Sequence, residues 1–479
     1  MKKQLLLCAL SVLGLLASCS KTTDDGDVNP PTDANTVEIT GDLTASTTWS
    51  ASKIYVLKGN VFVTNNATLT IEPGTIIKGD KSTKGALIIS RGSKINATGT
   101  VDKPIVFTSS VAAGARKEGD WGGLILLGKA QNNVGTSVSI EGISGDSEKG
   151  KHGGTDNADN SGTLKYVRVE YAGIALSPDN EINGITFGSV GSGTTVDYVE
   201  VYRSGDDAFE WFGGSVNCSH LLAIDSWDDD FDTDNGFSGK IQFALAQRLA
   251  NTADVSGSNG FESDNNAAGD NSTPQTSAVF SNVTILGPVG SGTTSINANY
   301  QHAAQIRRNS AISIFNSVFV GYTEGIFYDD ALLAGAAAAS TNLSAGRSVF
   351  ANNLIYNSNS KSNQIKASNT AALAVITPIL TAANVFDATG LAAALITDPY
   401  KYSADLVANT STVTRVGTPN FTVVANSPAA SGALFTNAKL ASGFTSVAFK
   451  GAFGSENWAA GWAHFNPQAL AYTTPGAVK

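Results

Sequence analysis

The chain has 479 residues, 49 of them Gly and 15% charged, with a formal net charge of −10. An acidic surplus of that size excludes a nucleic-acid binder that works by neutralising phosphates, and excludes attachment to anionic lipid through a basic patch. Three cysteines, two of them within the first nineteen residues, exclude a disulfide framework.

The N-terminus opens on Met1-Lys2-Lys3, continues through an apolar run from Leu5 to Leu16, and reaches Leu16-Ala17-Ser18-Cys19. A basic start, a short apolar core and small residues before a cleavage point predict a secretory signal over residues 1–18. The Leu-Ala-Ser-Cys ending resembles a bacterial lipobox, which implies cleavage before Cys19 and a lipid on its thiol. Loss of Lys2 and Lys3 takes the net charge from −10 to −12. Residues 19–35, polar, acidic and proline-containing, read as a flexible tether. Lys21 followed by Asp24 and Asp25 resembles a surface-export signal of Bacteroidota lipoproteins, with the acids two positions late. The expected location is therefore the outer membrane, held by the lipid on Cys19 and exposed on the cell surface.

From residue 36 onward, short runs of alternating apolar residues alternate with Gly, Asn and Asp, as in "KIYVLKGNVFV" (53–63), "ALIISRGSKINATG" (86–99), "LKYVRVEYAG" (164–173) and "VDYVEVYRSG" (196–205). This pattern predicts an all-β fold. "VFSNVTILG", "IFNSVFVGY" and "VFANNLIYN" place Phe280, Phe315 and Phe350 at equal steps of 35 residues, and Phe209 and Phe231 lie 22 apart. Repeats of that length, each too small to bury its own apolar edge, predict a parallel β-helix over residues 36–395, with the three Phe in one interior column. "ALLAGAAAASTNLSAG" (331–346) and "NTAALAVITPILTAANVF" (369–386) are helix-compatible excursions beside the stack. Residues 396–479 form final coils and an aromatic-rich C-terminal cap, with Trp458, Trp462 and Phe465 covering the edges of the last coil.

"LTIEPGTIIKGD" (69–80), "GTVDKPIVFTS" (99–109) and "GDWGGLILLG" (119–128) resemble the opening coils of right-handed parallel β-helix lipoproteins of Bacteroidota, in the pectin-lyase-like superfold. "NFTVVANSPAASGA" (420–433) and "FKGAFGSENWAAGWAHFNP" (449–467) resemble their closing segments. The resemblance implies a single-stranded right-handed parallel β-helix and the second of the two functions described below.

"SWDDDFDTDNGF" (226–237) is the most acidic stretch. Its first three acids have EF-hand spacing, but Asn235 and Ile241 stand where such a loop needs Gly and Glu. Read as a strand, Phe231 turns inward and Asp230, Asp232 and Asp234 line one outward face. "AFEWFG", "DFDTDNG", "GFESDNN", "QIRRNS" and "GIFYDD" align on Phe209, Phe231, Phe261, Ile306 and Ile326. The next position then reads Glu210, Asp232, Glu262, Arg307, and two further on Phe212, Asp234, Asp264, Asn309, Asp329. Carboxylates stacked at the coil spacing of roughly 4.8 Å repel by about 3.5 kcal/mol at an effective dielectric constant of 20. Such a ladder calls for Ca²⁺, an Arg, or raised pKa values; the alternative is a solvated acidic face, with Asp206, Asp207 and Asp228 satisfying turn amides. Asp232, Asp234, Glu262 and Asp264 are the expected Ca²⁺ ligands, and Glu210, Trp211 and Trp227 the expected ligand contacts. The four His show no zinc spacing.

Two functions follow. One is a lipid-anchored surface protein that binds or presents a glycan or another extracellular ligand, or docks an outer-membrane receptor, without chemistry. The other, implied by the resemblance, is a Ca²⁺-dependent polysaccharide lyase in which Arg307 or Arg308 assists β-elimination of a uronate. Against the lyase, adjacent Arg residues on one strand point to opposite faces.

Overall fold

The computed structural model describes residues 35–143, 147–177, 180–291, 295–331, 338–356, 364–387, 394–401 and 417–479. The signal segment, the tether up to Ala34, and Cys19 lie outside them, as does Asn357. No helix among the described residues is long and apolar enough to cross a membrane.

The chain winds into a parallel β-helix. Ten strands stack in register into one sheet: Asn60–Val63, Ala86–Ile89, Gly123–Leu127, Ile185–Val190, Phe209–Gly214, Phe231–Asp234, Phe261–Ser263, His302–Arg307, Glu324–Asp329 and Ile365–Ala367. The remaining walls form a seventeen-stranded sheet, whose central strands bend at one left-handed residue per coil. These bends fall on Tyr166, Tyr198, His220, Phe243, Asn282, Asn316 and Asn352, with φ between 50° and 62°. Asn suits such a corner because its carboxamide bonds locally; here Asn352 donates to Asn316 Oδ1 at 2.7 Å, one coil away.

Alternation explains why each coil closes. In the ten-stranded sheet one residue of each pair turns inward, so that Leu87, Leu124, Ile185, Phe209, Phe231 and Phe261 are all fully buried in one cluster. Phe187 stacks on Trp211 at 5.6 Å, and Phe209 on Phe231 at 6.0 Å.

The equal 35-residue spacing does not put Phe315 in the interior column. Phe280 pairs with Ile314, which pairs with Phe350, so the column steps by 34 and then 36 residues. Phe315 stands one residue off and faces outward, buried against Val279 and Leu440. A slip of one residue reverses the face of a strand.

The ends also differ from expectation. Helix α2 (Thr370–Ala383) packs on the last-coil strands Phe350–Ala351 and Ile365–Ala367 and inserts Ile376 and Leu380, both fully buried, into the helix interior. Helix α1 (Ala339–Ser344) adds Leu343. The helical segments are therefore part of the core. The aromatic C-terminal piece is a lateral strap instead of a cap on the last coil. Leu440 meets Phe315; Gln242 Nε2 donates to Thr445 O at 2.7 Å; Trp462 packs edge-on against Tyr166 and Tyr198; Arg168 Nη2 donates to Val478 O at 2.8 Å. The strap thus runs back across successive coils, because the outer face of the bent sheet carries apolar residues (Tyr202, Leu222, Leu245, Leu286) that need cover.

Candidate functional site

The outward column of the ten-stranded sheet can be read coil by coil: Phe62, Ile88, Ile125, Thr186, Glu210, Asp232, Glu262, Gln305, Phe327, Lys366. The first three are covered by Ile140, Ile143 and Ile182. The middle three are the acids. The expected stacking of Glu210 on Asp232 on Glu262 is present, and so is that of Phe212 on Asp234.

The expected register fails after Glu262. Glu262 pairs with Gln305 and Ser263 with Ile306, a shift of two residues that keeps the outward face and brings Arg307 level with Asp264. Arg307 Nε then lies 2.8 Å from Asp264 Oδ1, and its Nη2 pairs with Glu262. Arg308 also reaches Asp264, with Nη1 2.6 Å from Oδ2. The two Arg do not point to opposite faces, because the strand ends at Arg307 and Arg308 and Asn309 take left-handed φ of 43° and 65°. Two of the expected Ca²⁺ ligands, Glu262 and Asp264, are therefore engaged by guanidinium groups.

Two other expectations are overturned. Trp211 lies between Phe187 and Phe237, fully buried in the core, and cannot contact a ligand; it occupies an inward position of its strand. Asp230 is not on the acidic face. It precedes the strand, where alternation no longer holds, and is fully buried with Arg248 Nε at 2.9 Å. Trp227 is 42% exposed and remains available beside the acids.

The carboxylates that converge include expected Asp232 and Glu210 but join them to turn residues instead of to Glu262 and Asp264. Oxygens of Asp207, Glu210 and Asp232 lie within 4.8 Å of one another, and so do those of Asp206, Asp207 and Asp228. Asp207 sits in the turn before its strand, where Oδ1 accepts from Asp229 N at 2.7 Å; one coil on, Asp229 Oδ1 accepts from Asn259 N at 2.5 Å, and Asn259 Oδ1 from His302 N at 3.0 Å. This ladder of turn side chains ties each coil to the next, as the turn-amide reading of Asp207 expects. Its second oxygen leaves Asp207 free to face Glu210 and Asp232 as well. The signal was legible as a repeat: "DDAFE" (206–210) and "DDDFD" (228–232) lie 22 residues apart.

The acids resist ionisation. Burial, then the neighbouring charges of Asp264, Asp229 and Asp234, pushes the Asp232 carboxyl well up. Burial, then Asp232, does the same to Glu210, and burial, then Asp206, to Asp207. Asp234 is pushed up to about 7 by burial and Asp264. Glu210 accepts from Asn183 Nδ2, but Asp232 Oδ1 and Asp228 Oδ1 are buried oxygens without a hydrogen-bond partner. Buried carboxylate oxygens without donors, facing other carboxylates, fit a hard divalent cation such as Ca²⁺, which takes oxygen ligands. None of the four His joins either acid triad.

A cavity of about 590 Å³ adjoins this face, lined among others by Glu141, His152, Phe212, Asp234, Asn266 and Asp270. It combines apolar walls with convergent polar groups, as ligand clefts do.

A family model described as a pectate-lyase like beta helix domain matches residues 41–395. No curated protein matches, and no solved structure does.

Proposed function

Since the chain belongs to the pectate-lyase-like β-helix family, we propose that it is a lipid-anchored cell-surface protein that binds an extracellular polysaccharide along the acidic face of its ten-stranded sheet. Asp207, Glu210 and Asp232 would hold a Ca²⁺ ion there. The observation that carries this reading is their convergence within 4.8 Å, with Asp232 Oδ1 buried and unpartnered. When bound, the ion supplies charge neutralisation and a coordination site for ligand oxygens. Asp234 and Phe212 line the adjoining cavity, and Trp227 offers an exposed ring beside Asp228.

Binding without chemistry is better supported than lyase action. A β-elimination base must be able to lose its proton, yet Arg307 and Arg308 are both engaged with Asp264, and Arg307 also with Glu262. Although burial opposes its charge, Glu262 and Asp264 raise the Arg307 pKa further, which works against a base. The three nitrogens and three oxygens of this cluster serve instead to hold the strand end that borders the cavity.

The test is a glycan-array screen of the protein lacking residues 1–18, with Ca²⁺ and with chelator, combined with ultraviolet detection of unsaturated product. Calcium-dependent binding without product is expected. Product formation would restore the lyase, and identical array and melting profiles with and without calcium would sink the metal reading. The anchor is tested separately: Cys19→Ala should release the protein from the outer-membrane fraction, and retention there would refute lipid attachment.

A further inference from the structure

A second cavity, of about 360 Å³, is bordered by the same loop 266–273 as the first, and Ser272 lines both. Its lining holds carboxamides, hydroxyls and one guanidinium, Arg347, and no carboxylate. On a chain of net charge −10 this is a local reversal of sign.

Arg347 follows α1 and is anchored by its inner nitrogen: Nε donates to Asn342 Oδ1 at 2.7 Å. Asn342 is fully buried, and its Nδ2 is engaged with Asn309 O at 2.9 Å and Ser310 O at 2.9 Å. Gln275 Nε2 holds Asn309 O from the other side at 2.7 Å. The anchor is therefore rigid, and it orients the fork. Among the described residues no acid pairs with Arg347, and its two terminal nitrogens have no hydrogen-bond acceptor. Lys439 Nζ donates to the Arg347 carbonyl at 2.8 Å, which brings a second positive charge to the same turn.

A guanidinium fixed through Nε presents its remaining N–H groups in a planar array that suits a carboxylate or a sulfate oxygen pair. We infer that this pocket is an anion subsite, in which Arg347 receives one carboxylate or sulfate group of a hydroxylated ligand. The inference rests on the proposed polysaccharide binding only for the ligand being a glycan; the charge recognition itself is independent of the cation site.

The test uses the protein lacking residues 1–18 in chelator, so that the cation site contributes nothing. It is titrated with D-glucuronate, with inorganic sulfate and with D-glucose, followed by calorimetry. Saturable binding of at least one anion and none of glucose is expected; glucuronate alone assigns a carboxylate, sulfate alone a sulfate ester. Arg347→Gln should weaken the anion by about tenfold or more, since a hydrogen bond to a charged group is lost. Arg347→Lys should keep part of the affinity, because charge remains while the fork is lost. Thr273→Glu, at an exposed lining position, should repel the anion with Arg347 intact. Glucose binding as well as glucuronate, no saturation by either anion, or parental affinity in both Arg347→Gln and Thr273→Glu would overturn the subsite. Anion binding that persists where calcium produces no melting shift would reject the cation site alone.

Discussion

At the scale of single residues, the acidic face stores a cost that a cation or a proton must relieve. Asp207, Glu210 and Asp232 have carboxyls raised by burial and by one another, and Asp234 reaches about 7. A group whose folded pKa lies above its unfolded value contributes stability below the unfolded pKa and loses it as pH rises through the folded pKa. In chelator, the melting temperature should therefore fall as pH rises from about 5 to about 8, and calcium should remove most of that fall. Asp232→Asn with Asp234→Asn should flatten the pH profile and abolish the calcium response; an unchanged calcium response in that double variant refutes the site. The two tryptophans separate structure from binding. Trp211→Ala should cost about 3 to 5 kcal/mol because a large ring leaves the closed interior. Trp227→Ala should change stability by roughly 0.5 kcal/mol or less while weakening glycan retention. Denaturant unfolding and the array screen read the two effects apart.

At the scale of elements, facing decides what a residue does. Ile241, Phe280, Ile314 and Phe350 share the interior column, whereas Phe315 lies under the strap with Leu440. Phe315→Ala and Leu440→Ala remove two sides of one contact, so their costs should be non-additive by about 0.5 kcal/mol or more. Phe280→Ala with Leu440→Ala should be additive, since those side chains belong to separate clusters. Urea unfolding of the three single variants, the two double variants and the parent checks both, and additivity of the first pair would mean the strap is not seated on Phe315. Helix α2 shows the same rule at a coil end. Its Ile376 and Leu380 enter the interior where a further coil would otherwise stack, which removes the exposed edge that an open β-helix presents.

For the molecule as a whole, the strap joins coils that are distant in sequence. Arg168 is buried at the strap interface, donating to the Val478 carbonyl and to Tyr472 Oη, each at 2.8 Å. Tyr472 Oη in turn donates to Glu170 Oε1 at 2.9 Å, and Arg168 Nε lies 3.2 Å from the same carboxylate. Removing one member of a buried ion pair leaves the other without compensation, so Arg168→Met should cost about 3 to 5 kcal/mol. It should also release the C-terminal segment to limited proteolysis, with cleavage after Tyr472 or near Trp462 observed by mass spectrometry. Unchanged stability and protease resistance would show that the strap is held without this network.

The β-helix was legible in the sequence because stacking coils repeat the same demand: alternating apolar residues, polar turns and a length that cannot bury its own edge. The pairing of Phe209, Phe231 and Phe261, and with it Glu210 above Asp232 above Glu262, followed from strands with matching motifs. The sequence also contained the lipobox-like ending at Cys19, whose meaning depends on processing instead of packing. What only the tertiary structure decided lay where coils change length. The two-residue shift before Arg307 and the one-residue slip at Phe315 depend on which neighbour each strand meets, whereas the inward turn of Trp211 already follows from its place two residues after inward Phe209. Turn residues escape the strand alternation altogether, which is why Asp207 joined the acid cluster and Asp230 left it for Arg248. The path of the strap was equally beyond local pattern. Aromatic residues announce that they need burial, but the surface that buries them is assembled from coils hundreds of residues away.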